Sequence, residues 1–208
     1  MSRAKPLPAD ERRRHILIAA VPLVLDRGDK VTTREIAEAA GVAEGTLFRI
    51  FATKQALMMA LIGHVTDPEP LIDDLQTIDL AEPLVERVRR ILDVLGDHHL
   101  RLRRVFGAVH SLAHEKPTKA EQKRRDAAHA VREAQLAHAI ETILAPDGDH
   151  LRTTEAEAAA AIRSMSVMMG FPPSMLPDTL TTARVADILV HGIAPASTSS
   201  MIISTEDH

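Results

Sequence analysis

Apolar residues return every three or four positions along most of the chain. Leu84, Val88, Ile91, Leu92 and Leu95 make one such stripe, and Leu136, Ile140, Ile143 and Leu144 another; this spacing places them on one face of a helix. No window sustains the period-two alternation of β-branched residues that a half-buried strand needs. Helix starts are marked by four capping boxes, Thr32…Glu35, Asp79…Glu82, Thr118…Glu121 and Thr154…Glu157, in which the two residues satisfy each other's backbone N–H groups. Stops fall at Gly28, Gly41, Gly96, Pro117, the run Pro146-Asp147-Gly148, Gly170 ahead of Pro172-Pro173, and Pro195. The pattern predicts an all-α chain of about nine helices near 10–27, 32–40, 43–50, 53–66, 80–95, 98–115, 118–145, 154–169 and 178–193. The stretch 67–79, with Pro68, Pro70 and several Asp, reads as a linker or a broken turn, and 196–208 as a disordered tail.

Composition narrows the chemistry. The 208 residues are 45% apolar and include four Phe, no Trp and no Tyr, so the core must be built from Leu, Ile, Val, Met and Ala. The absence of Cys excludes disulfides, Cys-based zinc sites, thiol nucleophiles and iron–sulfur clusters. Arg12, Arg13 and Arg14 ahead of the apolar run Ile16 to Leu25 imitate a secretory signal, but Pro22 interrupts the run and Asp26-Arg27-Gly28 replaces a cleavage site. No stretch reaches the roughly 18 apolar residues of a spanning helix. A cytoplasmic chain with no membrane partner is expected.

The chemistry concentrates in Thr32 to Lys54, TTREIAEAAGVAEGTLFRIFATK. Thr32 caps a short helix with Ile36, Ala37 and Ala40 on one face, and Gly41 supplies the positive φ of a tight turn. Leu47, Ile50 and Phe51 form the inward face of a second short helix. Its outward face holds Glu44, Gly45, Thr46, Phe48 and Arg49, groups suited to meeting base edges in a major groove.

This stretch resembles the tetracycline-repressor (TetR) family of transcriptional regulators. The family pattern T-T-x-[ED]-I-A-x-x-A-G-V-x-x-G-T-[LI]-[YF]-x-x-F-x-x-K is met by Thr32, Thr33, Glu35, Ile36, Ala37, Ala40, Gly41, Val42, Gly45, Thr46, Leu47, Phe48, Phe51 and Lys54. The resemblance covers about residues 10–60. It implies a helix-turn-helix DNA-binding domain at 1–63 and a ligand-binding and dimerisation bundle at 64–195. By position, Thr33 and Arg34 would touch phosphate or base, Glu44, Gly45, Thr46, Phe48 and Arg49 would line the groove, and Lys54 would grip the DNA backbone. Arg3, Lys5, Arg12, Arg13 and Arg14 would add contacts from a flexible arm. Phe48 for Tyr, Ala43 for a Ser-like cap, Ile50, Pro22 and a shortened Gly28–Thr32 connection depart from the pattern and imply altered operator reading.

The formal net charge of −4 argues against a nucleic-acid partner until it is divided along the chain. Residues 1–63 carry ten Lys/Arg against seven Asp/Glu, a net of +3, leaving 15 basic and 22 acidic side chains downstream, a net of −7. A basic head on an acidic body turns that head toward DNA. In the body, a small-residue run at Ala156, Ala158, Ala159, Ala160 and Ala161 suits close helix approach. In the family, the last two helices pair two copies, so the resemblance implies a homodimer on a near-palindromic operator. Phe106, Val109, His110, Met165, Met168, Met169 and Phe171 are the candidate lining of a pocket for a small apolar effector, and no cofactor is implied. His110 and His114 are one turn apart but lack a fixed third ligand, so no metal site is assigned. The expected protein is a ligand-responsive regulator, acting as a repressor, and not an enzyme. A helical enzyme or metal-binding protein using His110 and His114, or a dimeric small-molecule-binding protein with degenerate DNA heads, stand as alternatives.

Overall fold

The computed structural model describes residues 8–110 and 119–192. These form α1 (Ala9–Arg27), α2 (Thr33–Ala39), α3 (Glu44–Ile50), α4 (Lys54–Val65), α5 (Glu69–Gln76), α6 (Leu84–His110), α7 (Lys119–Leu144), α8 (Glu155–Met169) and α9 (Thr182–His191), with short 3-10 turns at Gly28–Lys30, Ala145–His150 and Pro173–Met175 and no strand among the described residues. Arg3 and Lys5, the Thr118 cap, His114 and the tail lie outside them.

Two apolar cores organise the chain. The first gathers Ile16, Leu17, Ala20 and Val24 of α1 with Ile36, Leu47, Phe51, Leu57, Met58 and Leu61, and closes on Val105 and Ala108 near the end of α6. The second joins Leu71 and Leu75 of α5, Val88 to Leu95 of α6, Leu136 to Leu144 of α7, Ala159 and Ile162 of α8, and Val185 and Ala186 of α9. The 27-residue α6, about 40 Å long at 1.5 Å per residue, is the one helix among the described residues that is buried in both cores.

The structure departs from expectation at the end of the first body helix and at the stretch 67–79. Gly96 does not stop a helix: α6 passes through it, and a Cβ there would sit 3.1 Å from the Met169 Cβ. Gly170 is tighter, since its Cβ would come within 2.4 Å of the His99 Cβ. The two glycines therefore mark where α6 and α8 cross. Residues 69–76, within the stretch read as a linker or a broken helical turn, form α5, with Pro70 in the first turn, where a missing N–H costs nothing. Asp79 caps no helix. Its Oδ1 accepts the Ala81 N–H at 2.9 Å, and α6 begins after Pro83, whose carbonyl accepts from Glu86 and Arg87.

A buried arginine ties the body together. The Arg87 side chain is only 2% exposed; it donates to the Glu82 carbonyl at 3.0 Å, to the Ile143 carbonyl and to the Asp147 carboxylate. Burial pulls its pKa below the usual arginine range. No local pattern in the sequence announces this contact across 60 residues.

Candidate nucleic-acid interface

The head is assembled from strong local signals. Thr32 and Glu35 complete the expected capping box on α2, and the Thr32 backbone N–H and hydroxyl, with Arg27 beside them, hold the Glu35 carboxyl below its ordinary range. At the other end of α2, Val42 N–H donates to the Ala37 carbonyl at 2.9 Å and Gly41 N–H to the Glu38 carbonyl at 3.0 Å, with Gly41 at φ 62°. This pair of bonds is a Schellman turn, and it sets α3 against α2. Leu47 and Phe51 are then buried, and Ala43 starts α3 with no side-chain cap. Thr53 caps α4 by accepting from the Ala56 N–H at 3.0 Å.

What α3 leaves outside is a contiguous polar and aromatic face. Glu44, Gly45, Phe48 and Arg49 are exposed and Thr46 is half-buried; Phe48 keeps 42% of its surface in solvent, a poor place for an apolar ring unless another surface meets it. Arg49 Nη2 donates to Thr46 Oγ1 at 2.9 Å. Thr33 Oγ1 donates to Glu44 Oε1 at 2.7 Å. Lys54 Nζ donates to the Asp29 carbonyl at 2.9 Å, so it braces the turn between α1 and α2. Arg34 is exposed beside this face. Arg12, Arg13 and Arg14, expected on a flexible arm, lie within α1, and the Arg13 guanidinium stacks 4.5 Å from the centre of the Phe51 ring.

Of the residues expected to line a pocket, Phe106, Met165, Met168, Met169 and Phe171 line neither of the two cavities described below. Phe106 and Met168 are 45% and 48% exposed. Met165 and Met169 pack against the second core, and Phe171 lies 3.5 Å beneath the Arg103 guanidinium. Val109 and His110 belong to the last turn of α6. Open volume lies elsewhere. A cavity of about 470 Å³ between the start of α6, α8 and α9 is walled by Leu84, Val88, Leu144, Leu151, Ile162, Leu189 and Val190, with His150, Arg152, Thr153 and Glu157 among its polar lining. A second, of about 390 Å³, lies between α5 and α7, lined by Ile72, Leu75, Ile78, Gln135, His138 and Thr142. Neither contains an aromatic residue other than histidine.

Three histidines cluster near the junction of head and body. Burial, with His99 and Arg101 nearby, pushes His98 down to about 4. His99 is lowered by burial and by Arg103, and its Nε2 lies 3.2 Å from Oγ of the fully buried Ser166. His64 is lowered by burial and by Arg14. Among the described residues no group of three or more His, Asp or Glu is placed to hold a metal ion, and no helix is long and apolar enough to cross a membrane.

A capped helix, a Schellman turn and a second short helix with an exposed outer face form a helix-turn-helix carried on a helical body. Residues 16–61 match the family model described as bacterial regulatory proteins, tetR family, so the N-terminal segment of the chain carries a TetR-type domain. It is 34% identical over 102 residues to the helix-turn-helix-type transcriptional activator FasR of Mycolicibacterium smegmatis, a match covering 49% of this chain and 40% of that one. It is 48% identical over 52 residues to the helix-turn-helix-type regulator YvkB of Bacillus subtilis, covering 24% and 28%. The chain thus spans less than half the length of these relatives. Among solved structures, a TetR transcriptional regulator from Streptomyces coelicolor superposes with a TM-score of 0.55 at 20% identity, covering 89% of this chain and 99% of that one. The fatty acid degradation regulator FadR of Bacillus halodurans gives 0.55 at 15% identity, covering 92% and 100%. These likenesses extend the shared fold to the body.

Proposed function

We propose that the protein is a ligand-responsive transcriptional regulator, acting as a repressor, that binds a near-palindromic operator as a cytoplasmic homodimer. The observation that carries this reading is the exposed face of Glu44, Gly45, Thr46, Phe48 and Arg49 on α3, set in a head with a net charge of +3 over residues 1–63. Thr33, Arg34 and Lys54 flank that face. The homodimer is supported by α8, where Ala156, Ala160, Ser164, Val167 and Met168 form an exposed stripe of small and apolar side chains suited to a second copy. The effector is a small, flexible apolar molecule, because the body offers aliphatic cavities and few aromatic surfaces for stacking. Its entry would shift α6, and α6 carries the displacement into the head through Val105 and Ala108. The protein acts without catalysis in this reading.

The test is a mobility-shift titration of the full chain on the DNA upstream of its own gene. A shift that Arg49→Ala weakens at least tenfold is expected. No shift with any duplex at low salt overturns the reading.

A further inference from the structure

The Thr33–Glu44 bond changes what each residue can do. A threonine hydroxyl has one hydrogen to give, and Thr33 gives it to the Glu44 carboxylate at 2.7 Å. Thr33 therefore cannot donate that hydrogen to a phosphate while the contact stands. The carboxylate, in turn, is fixed at the first position of α3, on the same exposed face as Gly45, Phe48 and Arg49. Gly45 provides an independent sign of close approach from outside. It has no positive φ, and a Cβ added there would meet nothing of the protein within 4 Å. Neither backbone strain nor internal packing requires this glycine, although a glycine inside a helix is unfavourable.

A carboxylate at this place selects its partner by repulsion as much as by attraction. The acceptors O6 and N7 of guanine and O4 of thymine oppose it, and adenine sets N7 beside its amino group. Cytosine offers the N4 amino donor with no acceptor of its own in the major groove. We propose that Glu44 reads a cytosine amino group, one in each half-site, and that Thr33 is a positioning residue that holds the Glu44 carboxylate instead of a phosphate contact. This rests on the DNA-binding reading above.

The experiment selects duplexes from a randomised library with the full chain, then measures affinities for the selected sequence and its single-base variants. The wild-type chain is expected to enrich a near-palindrome with one cytosine per half-site that it prefers about tenfold over the other bases. Glu44→Gln should abolish that preference at this base pair while the rest of the motif survives. Thr33→Val should reduce it several-fold at the same base pair, and Thr33→Ser, which keeps the hydroxyl, should restore it. Melting curves identify any variant that fails to fold, and Thr33→Ser then carries the positioning test through its retained preference. A wild-type chain that enriches no sequence overturns the DNA-binding reading and this inference with it. An enriched palindrome whose motif is unchanged by Glu44→Gln overturns the inference alone. A Thr33→Val loss spread equally over all sequences makes Thr33 a phosphate contact and overturns its positioning role.

Discussion

The head and the body are both helical, yet they are held together at different ranges. In the head, the starts and turns of the short helices are set by contacts a few residues apart, Thr32 with Glu35, Val42 with Ala37 and Thr53 with Ala56, and longer contacts such as Lys54 with Asp29 and Arg13 with Phe51 are added to these. In the body, long helices are joined by contacts far apart in sequence, such as Arg87 with Asp147 and His99 with Ser166. A surface that must present side chains to a partner gains from local specification, because each residue's position is then set by its neighbours. In the body, distant contacts join the long helices around a shared core.

Breaking Asp147 should have the largest effect on the body. Asp147→Ala leaves the Arg87 guanidinium buried without its carboxylate, and a loss of about 3 kcal/mol is expected in chemical denaturation. The matching change in the head is smaller: Thr32→Ala removes one cap and should cost about 1 kcal/mol. Equal losses would show that the two regions do not differ in range of contact as described.

Acid should act at the junction. His98 is held neutral in the folded chain, down to about 4, but titrates near 6.5 when unfolded, so the unfolded chain binds more protons between these values. Stability is therefore full above about pH 6.5 and falls as the pH drops toward 4, by about 2 kcal/mol from His98 once residual solvent contact is allowed for. His99 and His64 act in the same direction. Melting temperatures between pH 7.5 and 4.5 check this, and His98→Asn should flatten the profile.

The smallest effect on stability should carry a large effect on function. Gly45→Ala meets open space and replaces a poor helix former, so the head should gain as much as about 1 kcal/mol. The same methyl group should weaken DNA binding by keeping α3 away from the base edges. A variant both more stable and equally tight on DNA would remove Gly45 from the interface.

The same contrast explains what could be read from the sequence. In the head, the capping box at Thr32, the positive-φ Gly41 and the inward Leu47 and Phe51 stand in the structure as expected, because each signal lies within a few residues of its partner. In the body, Gly96 looked like a stop and is a crossing point, since only the approach of Met169 gives it meaning. Pro68 and Pro70 hid α5, whose Leu71 and Leu75 are buried one turn apart. The count of nine α-helices among the described residues agrees with expectation only because this omission offsets the division of α6 into two. At the reading face, the exposed residues of α3 were legible from periodicity. The Thr33–Glu44 bond was not, because it joins the starts of two helices whose relative setting the Gly41 turn decides.

The central claim is that the head reads duplex DNA through α3. It is tested most directly by the equilibrium affinity of the full chain for its upstream DNA, measured by fluorescence anisotropy across a salt series beside the Arg49→Ala variant. The account predicts specific binding whose log affinity falls linearly with log salt, weakened at least tenfold by Arg49→Ala. Equal affinity for that DNA and a scrambled duplex, unaffected by Arg49→Ala, would contradict it.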